Sequence, residues 1–272
     1  CHVTSGSEFG WRTGNGKWSA TYPDNLPAVI NIGQGSPTNF MNGYSAKFPV
    51  EYRNALFAFD WSFGIIYAIH LTPQGASYTA EAEEFLSGSP LPLTDGGIGP
   101  DGAMYFLTGG RRLESDLYRI TATENIDTTP LAEVTPNEIN QLRRTLEQYH
   151  EPNKGAVDVA WPNLKHEDRF VRYAARIAIE HQPVAEWQER ALKETDPTAL
   201  TQAMLALARQ GKPVVKSKMI QRLVKVDFNK LSPSQKIDLV RAFEVLIFRL
   251  GKPDGDARKQ VITYLDSRYP SS

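Results

Sequence analysis

The sequence predicts a β + α chain of two domains. Residues 1–123 form part of a β-propeller (two to three blades), 124–135 a linker, and 136–272 an α-helical array of HEAT type. Three observations carry this reading. Residues 1–135 hold 16 of the 20 glycines and 18 of the 28 aromatic residues. They carry 7 Lys and Arg against 14 Asp and Glu, whereas residues 136–272 carry 23 against 17. Short aromatic and β-branched runs between glycine turns fill the first half, and apolar stripes at helical spacing fill the second.

The elements follow in order. Cys1-His2-Val3-Thr4 reads as a strand running into a glycine turn. Ala55–Phe59 is too short for a stable helix and rich in aromatics, and Ile65–Leu71 is β-branched. Pro73-Gln74-Gly75 marks a turn, and Ser77–Leu86 is extended with an acidic face. Pro100-Asp101-Gly102 is a further turn before Ala103–Leu107, and Gly109-Gly110-Arg111 breaks the chain before Asp116–Ile120. Ala55–Phe59 and Ala103–Leu107 lie 48 residues apart, and Ile66–Ile69 and Leu117–Ile120 lie 51 apart. Four short strands per ~40–50 residues is a propeller period, with a sandwich as the rival.

In the second half, Thr135 and Glu138 stand at capping-box spacing around Pro136, opening a helix to about His150. A helix over about 166–181 carries Phe170, Ala174, Ile177, Ala178 and His181 as its apolar stripe. Val184, Trp187 and Ala191 make a shorter one. Asp196-Pro197 and Ser232-Pro233 cap two more, 36 residues apart, with a helix around Met219–Val226 between them and a last one around Val261–Leu265. Paired helices joined by short turns suggest a stacked array, with a compact bundle as the rival. Arg169, Arg172 and Arg176 share one helix face, which either is solvated or receives an acidic partner.

Several spaced motifs carry a family resemblance. Ser5-Gly6-Ser7-Glu8-Phe9-Gly10-Trp11-Arg12 resembles the Gly-aromatic-Gly-Trp loop of the glucose/sorbosone dehydrogenase propellers. Phe59-Asp60-Trp61-Ser62-Phe63-Gly64 resembles a narrower branch, the large "membrane-bound dehydrogenase" proteins of planctomycete-like bacteria. Pro90–Asp95, Gly99-Pro100-Asp101-Gly102 and Thr108-Gly109-Gly110-Arg111 fit that branch, as do Trp161–Leu164 and Asp168–Arg176 in the helical half. The resemblance implies an exported or periplasmic sugar or alcohol dehydrogenase using pyrroloquinoline quinone (PQQ) with calcium. It also implies electron transfer to a c-type haem (cytochrome) domain outside this chain. A propeller of that family has about six blades, so the chain reads as an internal piece of a longer polypeptide.

Loops at one end of a propeller channel build its site, which makes charged and aromatic residues on the glycine-rich loops the candidates. These are Arg12, Lys17, Asp60, Trp61, Asp95 and Arg111, as cofactor or substrate contacts. The opposing reading of Asp60 and Asp95 is that they hydrogen-bond loop amides and lock adjacent blades. Asp60 also departs from the resembling enzymes, which place basic residues there, and would repel a quinone carboxylate. No catalytic residue can be carried over. The second functional reading is a non-catalytic binding module for carbohydrate or protein.

Other chemistry is weakly supported. Glu81, Glu83 and Glu84 read as a solvated strand face, the histidines lack metal-ligand spacing, and Cys1 stands alone, so no metal site is expected. A near-zero net charge of −1 gives no reason to expect nucleic acid as partner. No apolar run approaches the ~20 residues of a membrane span.

Overall fold

A computed structural model of the chain describes residues 1–9 and 19–268. Two expected site residues, Arg12 and Lys17, lie outside the described residues, with the Gly10-Trp11 part of the aromatic loop. The chain divides into two compact units, one of Cys1 with Val29–Thr135 and one of His2–Ala28 with Pro136–Ser272. This division differs from the expected grouping of residues 1–123. Residues 1–4 form no strand, and the segment after them packs on the helices. The reason is chemical: buried arginines on those helices take their acceptors from it.

The first unit holds two open antiparallel sheets. Strands β1 (Pro37–Asn42), β2 (Leu56–Asp60), β3 (Ile65–Gln74) and β4 (Ser77–Ser87) form a meander in that order, with the short helix α1 (Val50–Arg53) between β1 and β2. Strands β5 (Leu93–Ile98), β6 (Met104–Thr108) and β7 (Leu117–Ile120) form the second sheet. The β3–β4 loop is Gly75-Ala76, with Gly75 at φ 55°, so the strand runs through Pro73 instead of turning there. The alternation of β2 and β3 puts Phe57, Phe59, Ile66 and Ala68 inside. Leu93, Met104 and Phe106 of the second sheet join the same core cluster. Full burial of each large side chain there contributes roughly 1.5–3 kcal/mol.

The sheets meet through β1 and β5. Thr38 Oγ1 donates to the Leu93 carbonyl at 2.9 Å and Asn39 Nδ2 to the Gly96 carbonyl at 2.7 Å. Gly96 makes that approach feasible. A Cβ there would lie 2.2 Å from the Phe59 ring and 2.9 Å from the Tyr105 carbonyl oxygen. The Pro100-Asp101-Gly102 turn is held by the Asp101 carboxylate, which accepts from Ala103 N, Tyr105 Oη and Arg119. The Arg119 hydrogen bond, chiefly, holds that carboxyl down at about 2.

Helices of the second unit, among the described residues, are α2 (Glu138–Glu147), α3 (Ala156–Ala160), α4 (Arg169–Glu180), α5 (Val184–Lys193), α6 (Pro197–Gln210), α7 (Lys216–Leu223), α8 (Pro233–Leu250) and α9 (Gly255–Asp266). In one series, α2 packs on α4, α4 on α6 and α6 on α8; in a second, α5 packs on α7 and α7 on α9. Asp196 caps α6 by accepting from Thr198 N and Ala199 N, and Ser232 with Gln235 forms a capping box on α8. The first cap differs from expectation. Asn137, not Thr135, accepts from Asn140 N and opens α2. Helix α6 is buried over Ala199–Ala208 without a break, which marks it as the centre of this unit. No described helix is long and apolar enough to cross a membrane.

The close approach of β5 to β2 yields a direct test. Gly96→Val drives a branched side chain into Phe59 and should destabilise the sheet unit by about 2–3 kcal/mol. Urea unfolding followed by fluorescence measures it, and an unchanged midpoint would show that the sheets do not meet as described.

Candidate functional site

Four expected site residues lie among the described residues, and the structure brings two of them together. Asp60 ends β2 and is 2% exposed. Its Oδ1 accepts from the backbone amides of Ser36 (3.1 Å), Ser62 (2.7 Å) and Phe63 (3.3 Å). The carboxylate is therefore committed to fixing the entry to β1 and the β2–β3 turn. Gly35 lies so close that a Cβ there would fall 1.9 Å from Asp60 Oδ2.

That turn aims Trp61 at the other sheet. Its indole Nε1 donates to the Gly109 carbonyl at 2.9 Å, and the Arg111 guanidinium lies over its ring, 4.9 Å from the centroid. Residues Gly109, Gly110, Arg111 and Arg112 have φ of 140°, 91°, 49° and 69° in succession. Left-handed backbone suits the two glycines and strains the two arginines by roughly 1 kcal/mol each. Both arginines are exposed. Asp95 stands apart: it is exposed on β5 and accepts from the next amide, Gly96 N, at 2.8 Å. The junction thus displays a guanidinium stacked on an indole, with the nearby carboxylate turned inward. It can donate hydrogen bonds to hydroxyls or a carboxylate, and Asp60 Oδ1 is already engaged by three backbone amides.

A second polar site lies on the helical unit, where Arg169, Arg172 and Arg176 are not a solvated face. Arg176 is fully buried, paired with Glu180 and stacked over Tyr173 at 4.7 Å; Glu180 also takes Arg209 at 3.1 Å. Arg169 donates to the carbonyls of Tyr22 and Asn25. From α8, Arg241 Nε and Nη2 donate to the two Asp24 carboxylate oxygens at 2.9 and 2.8 Å. Burial pushes the Asp24 carboxyl up, and Arg241 more than offsets this, holding it below the usual range. His150 completes the attachment: Nε2 lies 3.0 Å from the Ala174 carbonyl and Nδ1 2.8 Å from Ser5 Oγ. Its ring stacks on His181 with centroids 5.7 Å apart.

Beneath residues Thr21 and Pro23 lies a polar cavity of about 80 Å³ lined by Arg169, Arg172, Gln202 and Asp238. Asp238 is buried, which pushes its carboxyl up to about 6 against the opposing pull of Arg172 and Arg169 and with the help of Asp24. Sequence reasoning missed this site. Asp24 and Arg241 are 217 residues apart, and no local signal joins them.

Glu81, Glu83 and Glu84 are exposed on β4. Among the described residues no three His, Cys, Asp or Glu are grouped to hold a metal ion. The chain matches no family model, and no curated protein and no solved structure is significantly similar to it.

Two outcomes follow from these carboxylates. Asp60→Ala strands three amides and should cost about 2 kcal/mol of stability, with Asp60→Asn recovering part of it. A loss below 0.5 kcal/mol in urea unfolding, on the order of an ordinary surface change, would contradict the assigned role. Asp238 works in the opposite sense. Its folded value lies above that of the unfolded chain, so the native state binds the extra proton and stability falls as pH rises from about 4 through 6. Asp238→Asn should therefore raise stability by roughly 2–3 kcal/mol at pH 7.5 and leave it unchanged at pH 4. Melting curves at the two pH values decide it.

Proposed function

We propose that this chain acts as a binding module of β-propeller and helical-repeat type, taking carbohydrate at the junction of its two sheets. The observation that carries this reading is the Trp61–Arg111 stack, with Arg111 exposed and held in left-handed backbone. A guanidinium fixed on an aromatic face suits vicinal hydroxyls or a sugar carboxylate, because its planar donors are already oriented. The four-stranded meander, with β5 of the next sheet laid beside β1, supports reading the sheets as adjacent propeller blades. The two series of helices support a HEAT-like array.

A second reading is a sugar or alcohol dehydrogenase of the quinoprotein type. The inward turn of Asp60 favours it, since that carboxylate is buried against three amides and does not face a quinone carboxylate. Arg111 and Arg112 would then hold carboxylates of PQQ, which supplies the hydride acceptor when bound. Under this reading the chain's own residues bind and orient, and the proton-accepting base comes from elsewhere.

Glucose and gluconate titrated calorimetrically into the chain separate the readings. Binding should weaken about tenfold in Arg111→Gly, roughly 1.4 kcal/mol, while stability stays equal or rises because glycine relieves the strained backbone. Equal affinity in the variant, or no binding of either sugar, would dismiss the assigned site. Dye reduction by glucose on addition of PQQ and calcium would favour the dehydrogenase instead.

A further inference from the structure

The polar cavity of about 80 Å³ in the helical unit is lined from three helices: Arg169 and Arg172 of α4, Gln202 of α6, and Ser234 and Asp238 of α8. Three of these side chains leave a polar group without a partner among the described residues. Arg172 spends Nη1 on the carbonyls of His166 and Glu167, and its buried Nε has no acceptor. Gln202 is 2% exposed, and its Oε1 has no donor. Asp238 is 8% exposed and accepts no hydrogen bond. Buried polar groups are ordinarily satisfied, so three around one cavity point to an occupant between them. Two further lining residues, Thr21 and Ser234, are exposed and leave it a way in.

The groups themselves describe that occupant. It must accept from Arg172 and donate to Asp238, because no ion pair joins Asp238 to either arginine across the cavity. Gln202 meets either need, since its amide presents an oxygen or, turned over, an N–H group. The volume exceeds one water and holds a compound of about four or five non-hydrogen atoms. Charge narrows the choice. Two guanidiniums face one carboxylate, and the other acids in reach are engaged elsewhere, Asp24 by Arg241 and Asp168 by the amides that open α4.

We propose that this cavity binds a small oxyanion that keeps a proton, of the hydrogencarbonate or monohydrogen phosphate class. Arg172 Nε–H donates to an unprotonated oxygen, the charge of Arg169 adds to the attraction, and the anion's own O–H donates to Asp238. The carboxylate makes the site selective. It accepts from an anion that carries a proton and repels one that does not. Occupancy here does not depend on the carbohydrate reading of the sheet unit.

Two pairs of anions test this by calorimetry on the full chain, in chloride buffer at about pH 7.5, where Asp238 is ionised. Hydrogencarbonate and nitrate are planar and differ in the O–H; phosphate and sulfate are the tetrahedral pair. In whichever pair fits, the protonated member should bind at least tenfold more tightly. Asp238→Asn puts an N–H donor where the acceptor stood, so nitrate or sulfate should become the better ligand. Arg172→Gln should abolish binding of both members. Equal affinity within both pairs, or no heat from any of the four at about 10 mM, would overturn the proposal and leave the cavity to water. Unchanged selectivity in a folded Asp238→Asn chain would overturn it too, by placing the bound anion elsewhere.

Discussion

Burying a guanidinium without an ion-pair or hydrogen-bond acceptor is costly, and the helical unit is organised around that cost. Arg176 has no exposed surface and is paired with Glu180, which also takes Arg209. Arg169 shares a cavity with Asp238 of α8, and Arg241 pairs with the half-exposed Glu244 on its own helix at 2.9 Å. Both also take acceptors from the upstream segment, Arg169 the carbonyls of Tyr22 and Asn25 and Arg241 the Asp24 carboxylate. Leaving one such charge unpaired in the interior costs several kcal/mol, more than most single apolar contacts contribute. The first residues of the chain therefore belong to the helical unit, although a complete compact unit lies between them in sequence. The change from a net of −7 to a net of +6 near residue 135 coincides with one boundary between the units, and composition gives no sign of the other, between Ala28 and Val29.

In the sheet unit a buried carboxylate plays the corresponding part. Asp60 gathers the amides of Ser36, Ser62 and Phe63, and this fixes where β1 begins and how β2 turns into β3. The turn carries Trp61 to the Gly109 carbonyl, and Trp61 carries Arg111. Each step depends on the one before it. The exposed guanidinium at the end is thus positioned by a side chain that never reaches solvent.

How much of this was legible in the sequence depended on how local its cause was. Strands β2, β3, β4, β6 and β7 are visible because β-branched and aromatic residues alternate between glycine turns. Strands β1 and β5 are not. Pro37-Thr38-Asn39 and Thr94-Asp95-Gly96-Gly97 have the composition of turns, and cross-sheet hydrogen bonds and close packing extend them. The caps at Asp196 and Ser232 are readable because the acceptor and its amides are neighbours. The arginine stripe of α4 is readable as one face, but the residues that cover it lie more than 140 positions upstream. The sequence reads Asp60 as either a channel ligand or a lock on loop amides, and in three dimensions its Oδ1 accepts from the amides of Ser36, Ser62 and Phe63.

The backbone at residues 109–112 bears on what the junction is for. Gly109 and Gly110 enter the left-handed region freely, and a glycine at 111 or 112 would continue it without strain. The chain instead has Arg at both positions. Arg119 shows what an arginine does when its role is to tie strands: it pairs with Asp101 and Tyr105 across the β6–β7 ladder. Among the described residues Arg111 makes no comparable tie; its guanidinium rests on an indole whose own N–H is already committed to Gly109. The left-handed pair closes a tight turn in which Leu113 N donates to the Gly110 carbonyl at 3.0 Å, and that same turn displays the donor. With Asp60 turned inward, Arg111 and Arg112 are exposed at the junction on a loop that also exposes Glu114 and Asp116. A planar donor rested on an aromatic ring keeps its N–H groups in a fixed orientation, which is what a directional hydrogen-bond contact needs.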